Sequence, residues 1–184
     1  QKWTNEFFDK VKAMDQVHQE QSGRIKGSLK INGESFDFDY PGIRDHSYGN
    51  RDWNYMDNHI WLLATNKEGK IFNFSFVNYP HLSNLCVCYN DIDSDNNQEI
   101  ASYNISSFDF NNGNGPDIFK FCAKYGKKKY HIEVKRNNDY VQHIDFGNKS
   151  YFFKEGLGEF IINGEPFYGS IEYGFNYDKS RWKI

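Results

Sequence analysis

The sequence predicts an all-β chain, an antiparallel barrel preceded by one amphipathic helix. Three observations carry this. From Gly23 to about residue 177 the apolar residues recur with period two. Asn-Gly pairs at 32–33 and 163–164 stand between alternating runs, the pattern of two-residue hairpin turns. No crossover helix separates the runs, so consecutive strands pair antiparallel. Aromatic residues make up 18% of the 184, too many for a disordered chain. Closure into a barrel removes the sticky edges that so many strands would leave, and a two-sheet sandwich is the alternative.

The elements follow in order. Residues 3–19 predict the helix, with Trp3, Phe7, Val11, Met14 and Val17 at steps of three and four and Phe8 widening the stripe. Ser22-Gly23 supplies its stop. Its polar face mixes Asp9, Asp15 and Glu20 with Lys10 and Lys12, unlike the basic face of a membrane-surface helix. Ile25, Leu29 and Ile31 then alternate with Lys26, Ser28 and Lys30. Beyond Asn32-Gly33, Phe36, Phe38 and Tyr40 alternate with Asp37 and Asp39. Strands at 57–65 and 70–78 flank residues 66–69, with Phe72, Phe74 and Phe76 on one face. Further strands are expected at 84–90 and 98–106, at 117–125 and 129–136, at 140–146 and 149–155, and at 158–162 and 166–177. The whole chain, 1–184, reads as a single domain with its barrel over about 24–177. Because Gln1 is not an initiator Met, the chain reads as a piece of a larger or processed protein.

Charge and cysteine usage exclude several functions. A net charge of −3 and a pI near 6.1 argue against a nucleic-acid partner. No run approaches the roughly 20 apolar residues of a membrane span. Cys86, Cys88 and Cys122 are an odd set without metal-ligand spacing, and Cys86 and Cys88 share one strand face. Asp91, Asp93 and Asp95 imitate a calcium loop, but Asn96 replaces its glycine and Ser102 its terminal glutamate. No phosphate cradle, nucleophile elbow or zinc-protease pair occurs, so neither a metal nor a cofactor is expected. Asn73-Phe-Ser75, Asn104-Ile-Ser106 and Asn148-Lys-Ser150 match the glycosylation pattern and weakly favour secretion, while a cytoplasmic chain is also compatible.

Chemistry concentrates in Ile43–Trp53, which holds two Arg, two Asp, a His, a Tyr and a Trp. Arg44 with Asp45 and Arg51 with Asp52 are suited to charge-assisted hydrogen bonds, a network that pins a barrel end. His46 suits proton transfer near neutral pH, and a desolvated Asp45 suits an acid.

Arg44-Asp45-His46-Ser47-Tyr48-Gly49 followed by Arg51-Asp52-Trp53 resembles the signature of a lipocalin-like domain found in animal phosphoenolpyruvate-synthase-like proteins and in bacterial relatives. The helix, the Ile25–Gly33 stretch and the end, Gly158-Glu-Phe160, Asn163-Gly164 and Tyr168–Gly174, follow the same plan, so the resemblance covers nearly the whole chain. The domain is similar to the second half of the two-barrel superfamily of carotenoid hydratases and AttH-like proteins, some of whose fungal relatives catalyse cyclisations. The phosphotransfer machinery has no counterpart in these residues.

The resemblance implies a lipocalin-like β-barrel that binds a small apolar or amphiphilic molecule. An enzymatic alternative is a hydratase, isomerase or cyclase acting on a polyene or terpenoid-like substrate. A further alternative is a non-catalytic domain that packs on a first barrel or on its own copy. Under these readings His46, Asp45 and Glu172 are the catalytic candidates. Tyr48, Arg51, Trp53 and Trp61 are the ligand-binding ones. Adjacent strand residues face opposite ways, so His46 is expected inward with Tyr48, and Asp45 in a structural role.

Overall fold

The computed structural model describes residues 16–49, 56–79, 82–90, 102–104, 116–125, 127–145 and 151–176. Every regular element among them is a strand: β1 Gln16–Ile31, β2 Glu34–Gly49, β3 Asn58–Thr65, β4 Ile71–Tyr79, β5 Leu82–Asn90, β6 Ser102–Asn104, β7 Ile118–Tyr125, β8 Lys128–Asp145, β9 Tyr151–Ile162 and β10 Glu165–Asn176. The all-β, antiparallel expectation holds.

Strands β3 to β10 form one antiparallel sheet in the order β5-β4-β3-β10-β9-β8-β7-β6. This is a meander whose last strand returns to pair with its first, Tyr173 opposite Ile60. The sheet curls. The rings of Phe74 on β4 and Phe121 on β7 lie 4.8 Å apart, although four strands stand between them in the sheet. Their contact crosses the interior, which gives the lipocalin-like curvature. Inward positions alternate as period two requires. Ile60, Leu62, Phe72, Phe74, Phe160 and Ile171 belong to one continuous buried core.

Strands β1 and β2 make a separate two-stranded ribbon, turned at Asn32-Gly33 with positive φ at both residues. Asn163-Gly164 turns β9 into β10 in the same way. Both are the type I′ geometry expected of Asn-Gly. The ladder of β1 and β2 runs unbroken from Ile31↔Glu34 to Gln16↔Gly49. Its outer half presents Ile25, Leu29, Phe36 and Tyr40 on one face, each about half exposed or more.

Two expectations are corrected. Of the predicted helix, residues 3–15 lie outside the described residues, and Gln16–Gln19 belong to β1. The ladder with β2 captures them, because Val17 pairs with Tyr48 and Gln19 with His46. The predicted breaks within 137–139 and 156–157 are not ends of strands. Strand β8 shifts register between Asn137 and Val141 but continues, and β9 runs through Gly156-Leu157-Gly158. Gly158 serves close packing rather than a turn. A Cβ there would stand 2.3 Å from Ile171 Cδ1 and 2.8 Å from the Lys135 carbonyl oxygen. Residues 91–101, 105–115 and 146–150 lie outside the described residues. Among the described residues no helix is long and apolar enough to cross a membrane.

Candidate active site

The outer face of β3, β10 and β9 is the reverse of the core. Register places Trp61 opposite Glu172, and Glu172 opposite Glu155, so an indole and two carboxyls form a row across three strands. Like charges directly opposite each other on neighbouring strands cost stability. Burial, and then the charge of Glu172, pushes the Glu155 carboxyl above the ordinary carboxylate range.

His59, two residues before Trp61, holds Glu172 in place. Its Nε2 lies 2.9 Å from Glu172 Oε1, and its Nδ1 lies 2.5 Å from the Tyr151 hydroxyl. The two rings are nearly parallel, 6° apart in plane, and Phe153 packs on the imidazole at a tilt. The Tyr151 hydroxyl also donates to Met56 Sδ at 3.2 Å. His59 and Tyr151 are buried at 5% and 3% exposure, whereas the Glu172 side chain keeps 23%. Solvent therefore meets this relay at its carboxylate end. A phenol oxygen stands at one ring nitrogen and a carboxylate at the other, so the imidazole is hydrogen-bonded at both nitrogens.

Gly174 makes the arrangement possible. It pairs with His59 on one side and Phe153 on the other. A Cβ at this position would stand 2.7 Å from His59 Cε1, 2.6 Å from Tyr151 Cε1 and 2.6 Å from the Phe152 carbonyl oxygen. Only glycine lets the two rings meet over this strand.

The root of the ribbon lies beside this row. Glu20 is 3% exposed and accepts from Trp61 Nε1 and from Asn73 Nδ2, each at 3.0 Å. His18 Nε2 lies 3.0 Å from the same carboxylate and 3.7 Å from Asp45 Oδ2. Trp61 thus joins the two acidic groups, as the hydrogen-bond donor to Glu20 and the register partner of Glu172. The buried Asn73 amide is committed to Glu20, so the folded chain leaves no room for a glycan there.

A second polar cluster lies on the inner face, where β8 shifts register. Arg136 donates to the Tyr173 hydroxyl at 2.5 Å and pairs with Asp117. Burial raises the Tyr173 phenol above its ordinary value. Burial, and then the Arg136 charge, lowers the Lys154 ammonium.

The predicted residues divide. Glu172 and Trp61 stand together in the row, and Asp45 sits opposite Glu20 with its side chain 40% exposed. His46 and Tyr48 share a face, as expected, but both are exposed. The His46 ring lies 5.4 Å from that of Tyr48 and its Nδ1 is 3.3 Å from Arg44 Nη2. The expected orientation is reversed. Asp45 shares the face of buried Glu20, because cross-strand partners share a face, and His46 takes the opposite one. Arg51, Asp52 and Trp53 lie outside the described residues, and the exposed Arg44 makes its described contact with His46.

His59, Tyr151, Glu155 and Glu20 were not anticipated. Turn register carried a signal for two of them. A two-residue turn at Asn163-Gly164 pairs 162 with 165, and counting outward pairs Glu155 with Glu172. The turn at Asn32-Gly33 likewise pairs Glu20 with Asp45.

A family model described as a domain of unknown function, DUF7064, matches residues 4–177. The chain belongs to the DUF7064 family. No curated protein matches. Among solved structures, the DUF7064 chain is similar to a putative AttH from Nitrosomonas europaea, with a TM-score of 0.58 and 12% identity over 86% of this chain and 52% of that one. It is also similar to kievitone hydratase from Nectria haematococca, with a TM-score of 0.54 and 11% identity over 88% of this chain and 53% of that one. At these identities the likeness shows a shared fold, a lipocalin-like antiparallel β-barrel. The DUF7064 chain spans about half the length of either solved chain.

Proposed function

We propose that the outer-face row is an acid–base site for a small amphiphilic organic substrate, with chemistry of the hydratase or isomerase type. The observation that carries this reading is the opposition of Glu155 and Glu172, the second held by the His59–Tyr151 relay. Two carboxyls in unequal environments are how one site supplies both an acid and a base. Glu155, with its raised proton affinity, donates its proton to an alkene carbon. Water adds to the cationic carbon, and Glu172, oriented by His59, takes the proton that the water loses. One C–H and one C–O bond form, the alkene π bond and one O–H bond of water break, and proton transfer from Glu172 to Glu155 restores the site. For an isomerisation, Glu172 removes a proton from carbon instead. Trp61 is the wall against which an apolar substrate lies. Similarity in fold to a hydratase is compatible with this reading.

The test is turnover of a panel of amphiphilic alkenes, enones and polyenes in ¹⁸O-labelled water, followed by mass spectrometry. Incorporation of label is expected. Glu155→Gln and Glu172→Gln should each lower turnover by roughly 10²–10⁴-fold and leave ligand binding intact. Turnover unchanged in both variants would refute the assignment.

A carrier is the second reading, favoured by Arg136, Tyr173 and Lys154 on the inner face. A few polar groups in an apolar barrel orient a guest, here one with an anionic or phenolic head. Saturable binding without turnover, weakened by Arg136→Ala, would select it. In either reading the resemblance of Arg44–Trp53 to the domain of phosphoenolpyruvate-synthase-like proteins supports reading this chain as one barrel of a longer protein.

A further inference from the structure

We propose that His18, Glu20 and Asp45, at the root of the β1–β2 ribbon, bind a divalent transition-metal ion of the zinc type. This inference is independent of the acid–base reading.

One nitrogen and two carboxylate oxygens converge there, all within 4.8 Å of one another. His18 Nε2 stands 3.0 Å from Glu20 Oε1 and 3.7 Å from Asp45 Oδ2. Ligand atoms at about 2.0–2.2 Å from a tetrahedral zinc ion are themselves about 3.3–3.6 Å apart, so small side-chain shifts seat an ion among these three. Backbone geometry prepares the set. His18 and Glu20 are two apart on one strand and share its face, and Asp45 is the cross-strand partner of Glu20. Two carboxylates opposite each other call for a cation between them.

The surroundings resemble those of a metal ligand. Trp61 Nε1 and Asn73 Nδ2, both on the rigid sheet, each hold one oxygen of Glu20 and fix its direction. On the same face, opposite Trp61, the buried Ser75 hydroxyl has no hydrogen-bond partner among the described residues, which suits a metal-bound water. Asp45 opens the trio to solvent. Three protein ligands with an open position are the pattern of reactive zinc sites. The imidazole selects zinc, manganese or iron over calcium and magnesium, which prefer all-oxygen shells.

The alternative occupant of the gap is a proton, with His18 as an imidazolium between two carboxylates. Calorimetry separates the two. The chelator-treated full chain is titrated with zinc chloride and with calcium chloride, in two buffers of different ionisation enthalpy. A Cys122→Ser background is used, because Cys122 Sγ lies 3.3 Å from His131 Nδ1 and offers a competing zinc site. Zinc is expected to bind one per chain and to raise the melting temperature, and calcium at equal concentration is expected to do neither. His18→Ala and Asp45→Asn should each weaken zinc binding at least tenfold, and Asp39→Asn, on the exposed part of the ribbon, should not change it. Asp45 is surface-exposed, so its variant keeps the fold and remains informative if His18→Ala does not. Absence of zinc binding, or binding equal to the parent in Asp45→Asn, would overturn the proposal.

Discussion

On the inner face of β3 the side chains are Ile60, Leu62 and Ala64, each at or below 1% exposure. On its outer face they are His59, Trp61 and Leu63. Strand β10 repeats the contrast, with Ile171, Tyr173 and Phe175 inward and Ser170, Glu172 and Gly174 outward. Strand geometry forces the alternation, so the same strands hold up the barrel with one set of residues and carry ionisable groups with the other. The inner set gains from burial. The outer set sets two carboxyls against each other, buries a histidine and gives up a side chain at 174, each at a cost in stability. Costs gathered at one place are what the proposed acid–base site would account for.

This division is open to attack from both sides. Phe74→Ala, on the inner face, should destabilise by about 3–5 kcal/mol. It removes a ring that spans the interior, and urea unfolding measures the loss. If it costs no more than an outer-face truncation, the interior is not the packed layer described above. Gly174→Ala should cost ~1–3 kcal/mol, since the added methyl meets the backbone of β9 as well as two rings. It should also part His59 from Tyr151, which the tyrosine hydroxyl proton in NMR spectra would report.

Glu155→Gln should have the smallest effect and the most telling sign. The Glu155 carboxyl has a raised proton affinity in the folded chain. Its stabilising contribution is therefore complete below the ordinary carboxylate range and is lost as pH rises through the raised folded value. Above the raised folded value the parent holds an ionised carboxylate that the fold disfavours, and there Glu155→Gln should melt higher than the parent. The difference should close as pH falls below the ordinary range. A difference that does not depend on pH would mean that Glu155 sits in solvent as an unremarkable surface acid.

The legible and illegible parts of the molecule separate along the same lines. Local signals worked. Both Asn-Gly turns are where alternation placed them, and Phe72, Phe74 and Phe76 share the inner face. Glu172, Trp61 and Asp45 were singled out from the sequence, and each now lies in the polar strip. Helical periodicity over 3–19 assigned Glu20 to a polar helix face, whereas the β1–β2 ladder turns it onto the sheet, where Trp61 and Asn73 bury it. Gly156-Leu157 reads as a break between strands because a glycine inside a strand looks the same in sequence as one that turns. The His59–Tyr151 contact bridges residues 92 apart and depends on β10 returning to β3, a pairing that no turn encodes.

The opposed carboxyls are the centre of the account, and ¹³C NMR titration of the glutamate side chains tests them without a substrate. The Glu155 resonance is expected to titrate above the ordinary carboxylate range in the parent, and to move back toward that range in Glu172→Gln, where the opposing charge is gone. A Glu155 that titrates in the ordinary range and does not respond to Glu172→Gln would contradict the acid–base site.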